Sequence, residues 1–97
     1  MPAHCEQAYH LFYLLTPSLE RRTRLISHLA SKGIKSVFHY LPLHLSPMGR
    51  RWGYRPGDCP VTEDVSERLL RLPFFNDLSK QAQARVCAAL AEAGQEW

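Results

Sequence analysis

The first sustained apolar run is Tyr9 to Leu15, YHLFYLL, closed by Thr16-Pro17. Aromatic and apolar residues packed this densely before a Thr-Pro break predict a strand. Alternation puts Leu11, Tyr13 and Leu15 on one side and His10, Phe12 and Leu14 on the other. Both sides are apolar and need cover, so the strand is expected at the centre of a sheet. The period then changes. Thr16 or Ser18 can cap a helix with Pro17 at its first turn, and Gly33 is placed to end it in a left-handed turn. Between them Leu19, Leu25, Ile26, Leu29 and Ala30 form one stripe. Ile34 to Tyr40 returns to alternation, with Ile34, Ser36, Phe38 and Tyr40 opposed to Lys35, Val37 and His39, until Pro42 ends the ladder.

From Leu43 to Pro60 both periods lapse, and Pro47, Gly49, Gly53, Pro56 and Gly57 predict a long loop with room for one helical turn. A helix is expected from Thr62 to Leu70, supported by Asp64 with Arg68 and Glu67 with Arg71 at i,i+4. It runs into Leu72-Pro73-Phe74-Phe75, an extended edge strand because proline removes a ladder donor. Ser79 caps a last helix that ends at Gly94, with Ala82, Val86, Ala89, Leu90 and Ala93 inward and Cys87 beside them in the core. About three strands and three helices make a two-layer α/β sandwich, its small sheet mostly antiparallel and its helices on one side. That arrangement leaves the other apolar side of the first strand bare, and a chain this small seldom exposes such a patch without a partner for it.

Composition narrows the class. The 97 residues fit one domain, and 45% hydrophobic with 22% charged residues excludes a disordered tail. A net charge of +3 gives nucleic acid no priority, since charge of this size governs encounter more than partner identity. Cys5, Cys59 and Cys87 are odd in number and widely spaced, which points away from a disulfide framework and toward a reducing compartment. With no apolar stretch long enough to span a bilayer and no secretory pattern at the start, the expected location is cytoplasmic and no membrane partner is expected.

Candidate chemistry concentrates in His39-Tyr40-Leu41-Pro42-Leu43-His44, where a strand ends and the loop begins. Two imidazoles and a phenol offer donors suited to phosphate oxygens. A strand end with one buried tyrosine and surface histidines is the plainer alternative. On a regular strand His39 and Tyr40 point to opposite sides, so both reach one ligand only if the strand twists out at Pro42. His39, His44 and Cys59 match no zinc spacing, and no cysteine has an evident activating partner. Arg21, Arg22 and Arg24 read as a solvated helix side paired through Glu20, or as a basic patch. Trp52, Tyr54 and Arg55 read either as base-stacking groups or as an anchor for the loop. Lys32, Lys35 and Lys80 all have surface explanations, so none looks like a Schiff-base amine.

Lys32-Gly33-Ile34, then Val37-Phe38-His39-Tyr40-Leu41-Pro42-Leu43-His44, Pro47, Gly53-Tyr54, Gly57-Asp58, Pro60 and Glu63, and finally Ser66 to Pro73 with Leu78-Ser79, occur in this order. In that order they resemble the C-terminal domain of the DegT/DnrJ/EryC1/StrS sugar-nucleotide aminotransferases. The resemblance implies the small domain of a pyridoxal-phosphate transaminase acting on a 4-keto-6-deoxy sugar nucleotide for surface polysaccharide. It implies a preceding large domain that holds the cofactor lysine, so residues 1–97 alone are expected to bind no cofactor and to be inactive. It assigns substrate contacts to His39, Tyr40 and His44. It also supplies a cover for the bare sheet side, either the large domain or a homo-oligomer partner. Two other classes stay open: a stand-alone binder of a sugar nucleotide or another anion, and a small nucleic-acid or protein adaptor.

Overall fold

The computed structural model describes residues 2–6 and 8–94; the other positions of the expected 1–97 domain lie outside the described residues. The elements are β1 (Tyr13–Leu15), α1 (Leu19–Ser31), β2 (Val37–Phe38), a 3₁₀ turn (Leu43–Leu45), α2 (Pro47–Arg51), α3 (Pro60–Arg68), β3 (Leu69–Arg71) and α4 (Lys80–Gly94). The sheet is antiparallel in the order β1-β3-β2. With the helices it forms a small α/β sandwich, as the periodicity predicts.

The first helix follows its punctuation closely. Ser18 Oγ accepts from the Arg21 N–H at 3.2 Å, which satisfies one orphan donor of α1. At the other end Gly33, at φ 71°, donates to Ala30 O at 2.9 Å while Ile34 donates to Leu29 O at 2.9 Å. That pair of bonds is a Schellman stop, and its apolar partners Leu29 and Ile34 are both buried. Leu25 and Leu29 carry the burial of the helix, joined by half-buried Ile26; Leu19 and Ala30, expected in the same stripe, are exposed. Leu25, Leu29, Ile34, Leu70, Ala89 and Ala93 form the core between α1, α4 and the sheet.

Several expectations are corrected. The central strand is β3, not the first strand: Leu70 pairs with both Leu14 and Phe38, and β1 lies at an edge. The predicted helix over 62–70 starts earlier, at Pro60, and ends at Arg68, because Pro60 suits the first helical turn and Leu69 turns extended with ψ 129°. Leu69-Leu70-Arg71 can then pair on both sides. The expected edge strand at 72–75 is absent, and Pro73, which has no N–H, follows just after the last inter-strand bond, Leu72 N–H to Phe12 O at 3.0 Å. Both outer strands are shorter than predicted, three and two residues. The long loop is largely structured by the 3₁₀ turn and α2, which makes four helices instead of three. Glu67 and Arg71 are separated by the end of α3, whereas Arg68 keeps Asp64, its Nη2 donating at 2.5 Å. Cys87, expected in the core, is exposed on α4.

Register decides which side of the sheet is covered. Leu14, Leu70 and Phe38 are cross-strand partners on the helix side, where Leu70 is fully buried and the Arg22 guanidinium lies 5.4 Å from the Phe38 ring centre. The opposite side carries Tyr13, Leu15, Val37, Leu69 and Arg71. Tyr13 and Leu15 keep 49% and 48% of their surface in water there, whereas Val37, Leu69 and Arg71 are half-buried. On that side the exposed apolar residues are those of the edge strand β1, Tyr13 and Leu15, while the neighbouring strands are partly covered.

Candidate functional site

β2 stops at Phe38, so His39 and Tyr40 are free of the ladder. Tyr40 then adopts φ 45°, a left-handed backbone that a tyrosine rarely takes. This removes the objection that the two side chains must diverge. Their rings meet edge to face, with centres 5.2 Å apart and planes at 66°. The turn out of the sheet thus occurs at Tyr40, two residues before Pro42.

His39 and Tyr40 line one groove of about 520 Å³, whose other wall is α3 through Val61, Thr62, Val65 and Ser66. Such a volume is in the range of small-molecule sites. His39 Nδ1 is buried without a hydrogen-bond partner beside a mostly apolar cleft. Tyr40 remains 72% exposed, and the Arg71 guanidinium sits 5.9 Å from its ring centre. The pair can therefore offer an imidazole nitrogen, a phenol and an aromatic face to one ligand.

His44 is placed elsewhere. It is buried, and its Nε2 donates to Glu63 Oε1 at 2.8 Å. It lines a neighbouring cleft with Met48, Trp52 and Cys59, not the His39–Tyr40 groove. Glu63, named in the sequence only as part of the family pattern, was given no role there. Besides His44 it accepts from the Gly57 N–H at 2.9 Å and the Cys59 N–H at 3.4 Å. These donors hold its carboxyl below the ordinary carboxylate range, the His44 bond most of all and the Gly57 N–H next. The available signal was Pro60, which places Glu63 in a helix first turn, where an acid is favoured.

The remaining candidates separate. Arg22 donates to Ser66 O at 2.8 Å and Arg24 to Glu20 at 2.6 Å, so both serve packing and pairing. Trp52 is 78% exposed and Tyr54 half exposed, so neither anchors its loop in the core. Among the described residues no group of three or more His, Cys, Asp or Glu could hold a metal ion, and no helix is long and apolar enough to cross a membrane.

Residues 1–91 match the model of the DegT/DnrJ/EryC1/StrS aminotransferase family. The chain belongs to this family. It is 38% identical over 86 residues to the erythromycin biosynthesis sensory transduction protein EryC1 of Saccharopolyspora erythraea, covering 88% of this chain and 23% of that protein. To the dTDP-3-amino-3,4,6-trideoxy-alpha-D-glucose transaminase of Streptomyces venezuelae it is 32% identical over 93 residues, covering 95% of this chain and 24% of the relative. The solved DegT DnrJ EryC1 StrS aminotransferase of Brucella abortus superposes with a TM-score of 0.78 at 30% identity, covering 95% of this chain and 24% of that one. The chain spans about a quarter of the length of the curated relatives it matches.

Aminotransferases of this family generally use pyridoxal phosphate, a cofactor that needs a sequestered lysine amine. Lys32, Lys35 and Lys80 are all exposed, and Lys32 is paired with Glu92. Among the described residues no lysine is therefore sequestered as a Schiff-base amine must be.

Proposed function

We propose that this chain is the substrate-closing C-terminal domain of a pyridoxal-phosphate transaminase that aminates a 4-keto-6-deoxy sugar nucleotide for surface polysaccharide. The substrate class rests on the resemblance of VFHYLPLH and SERLLRLP to members that form dTDP-4-amino-4,6-dideoxygalactose. The observation that carries the reading is the convergence of His39 and Tyr40 on one groove through the left-handed turn at Tyr40. In it His39 and Tyr40 contact the sugar nucleotide. His44 contributes as a positioning residue, by fixing the loop that leaves the site. The cofactor and its lysine belong to protein outside these 97 residues. That protein, or a second subunit, covers Tyr13 and Leu15; their exposure on β1 supports the reading, because exposed apolar sheet residues are costly in water.

A chimaera tests it. The C-terminal quarter of the Streptomyces venezuelae transaminase is replaced by this chain, and glutamate-dependent amination is followed on 4-keto-6-deoxy sugar nucleotides. The expected result is turnover by the chimaera and none by the isolated chain, with Tyr40→Ala and His39→Ala raising KM roughly ten-fold or more, the loss of one good ligand contact. Turnover by the isolated chain overturns the reading. So does a folded, active chimaera indifferent to both substitutions.

A further inference from the structure

A second cleft, of about 550 Å³, opens where the Gly33 turn meets α4, and none of its lining residues lines the His39–Tyr40 groove. Its interior is apolar, with Ile34 buried and Val86 half-buried against the core. Lys35, Arg71 and Arg85 also line it, and no carboxylate does.

These cations differ from others in the chain. Arg24, Lys32 and Arg68 each have a carboxylate of their own. Arg85 instead donates Nη2 to the Lys32 carbonyl at 3.2 Å, Arg71 has the Tyr40 ring, and Lys35 makes no ion pair among the described residues. Lys35 and Arg85, two cations without a carboxylate partner among the described residues, therefore border an apolar cavity. The Arg85 fork is already held by a backbone carbonyl, so less freedom is lost when its other N–H groups bind an anion. Phe74, half exposed at the cleft, offers a flat apolar surface.

We propose that this cleft binds a small organic dianion with a flat apolar body, its charged end at Lys35 and Arg85 and its body toward Phe74 and Val86. Two or more unbalanced cations suit a dianion better than a monoanion, and guanidinium forks match phosphate and carboxylate alike. Neither half of the ligand suffices: inorganic phosphate leaves the apolar floor wet, and a neutral ring leaves the charges unmet.

The isotope-labelled 97-residue chain is titrated with naphthyl phosphate, naphthalene dicarboxylate, naphthol and inorganic phosphate, and amide shifts are followed by NMR. The expected result is saturable shifts at Gly33, Lys35, Phe74 and Arg85 with at least one dianion, and binding weaker by roughly ten-fold or more for naphthol and inorganic phosphate. The tighter dianion assigns the headgroup. Arg85→Glu and Lys35→Glu each weaken it by a similar factor; both side chains are exposed, so at least one variant keeps the fold. The proposal is overturned by absence of saturation, by unchanged affinity in both variants, or by shifts that fall on His39 and Ser66 instead.

Discussion

His44 Nε2 donates to Glu63 Oε1 at 2.8 Å across nineteen positions of sequence. The bond joins the 3₁₀ turn that leaves the candidate site to the first turn of α3, which forms the site's other wall. Because Glu63 also accepts from Gly57 and Cys59, one carboxylate sets the entry of α3, the preceding turn and the end of the VFHYLPLH run together. His44 Nε2 is thus committed to Glu63, and their bond ties together two segments beside the groove.

This pair sets a pH dependence. Glu63 titrates below its ordinary 4.5, chiefly because His44 and then the Gly57 N–H favour the carboxylate. A folded value lowered from the unfolded one gives stability that is complete above about 4.5 and lost as pH falls through the folded value. Glu63→Gln is therefore expected to melt below the parent at neutral pH, with the gap closing as the pH drops below the ordinary 4.5 and through the lowered folded value. Thermal melts of both proteins over that range check it, and a gap independent of pH contradicts it.

Gly49 is required by space. A Cβ there would lie 2.4 Å from the His44 carbonyl oxygen and 2.5 Å from that of Leu43, backbone atoms that cannot swing away. Its N–H meanwhile caps on Ser46 Oγ at 3.0 Å. Gly49→Ala should cost about 1–3 kcal/mol, the range for overpacking, and displace the His44 corner. Urea denaturation measures the cost; a neutral Gly49→Ala would mean that the corner can shift freely.

The reasons these features were or were not legible are local. Ser18 and Gly33 announce α1 because capping and left-handed stops select few residue types. Leu69-Leu70 gave no such mark: two leucines following a helical stretch continue its period as readily as they begin a strand. Reading them as helix moved the central strand to 9–15 and the edge to 72–75. His39, Tyr40 and His44 were found as chemistry-bearing types, but their grouping rests on φ at Tyr40 and on a partner nineteen positions away, and a tyrosine carries no signal for positive φ. The exposure of Tyr13 and Leu15 was legible, since apolar residues on both sides of one strand leave one set without helices.

The two sides of the sheet should respond differently to substitution. Leu70 is fully buried among core residues, so Leu70→Ala removes packing on every side and should cost about 2–5 kcal/mol. Leu15→Gln, on the exposed side of β1, should change stability by no more than about 0.5 kcal/mol while lowering binding of a hydrophobic dye. Chemical denaturation and dye fluorescence read the two effects. Equal costs at the two positions would mean that Leu15 is buried after all.

Tyr40 carries backbone strain at the candidate site. Its φ of 45° opposes its Cβ, a cost of order 1–2 kcal/mol that glycine would not bear. Against that, glycine loses the Arg71 contact, worth about 0.5–1 kcal/mol at an exposed ring, and the edge contact to His39. These terms nearly cancel, so Tyr40→Gly is expected to fold with a stability within about 1 kcal/mol of the parent. Tyr40→Ala keeps the strain and loses the same contacts, and should be the less stable of the two. Under the proposed function both variants lose the substrate contact, so in the active chimaera they should share a raised KM despite their different stabilities. Urea denaturation separates the variants by strain, and steady-state kinetics tests whether they coincide in function. If Tyr40→Gly is the less stable variant, the left-handed turn is not opposed by the side chain, and strain at this position has no part in shaping the groove.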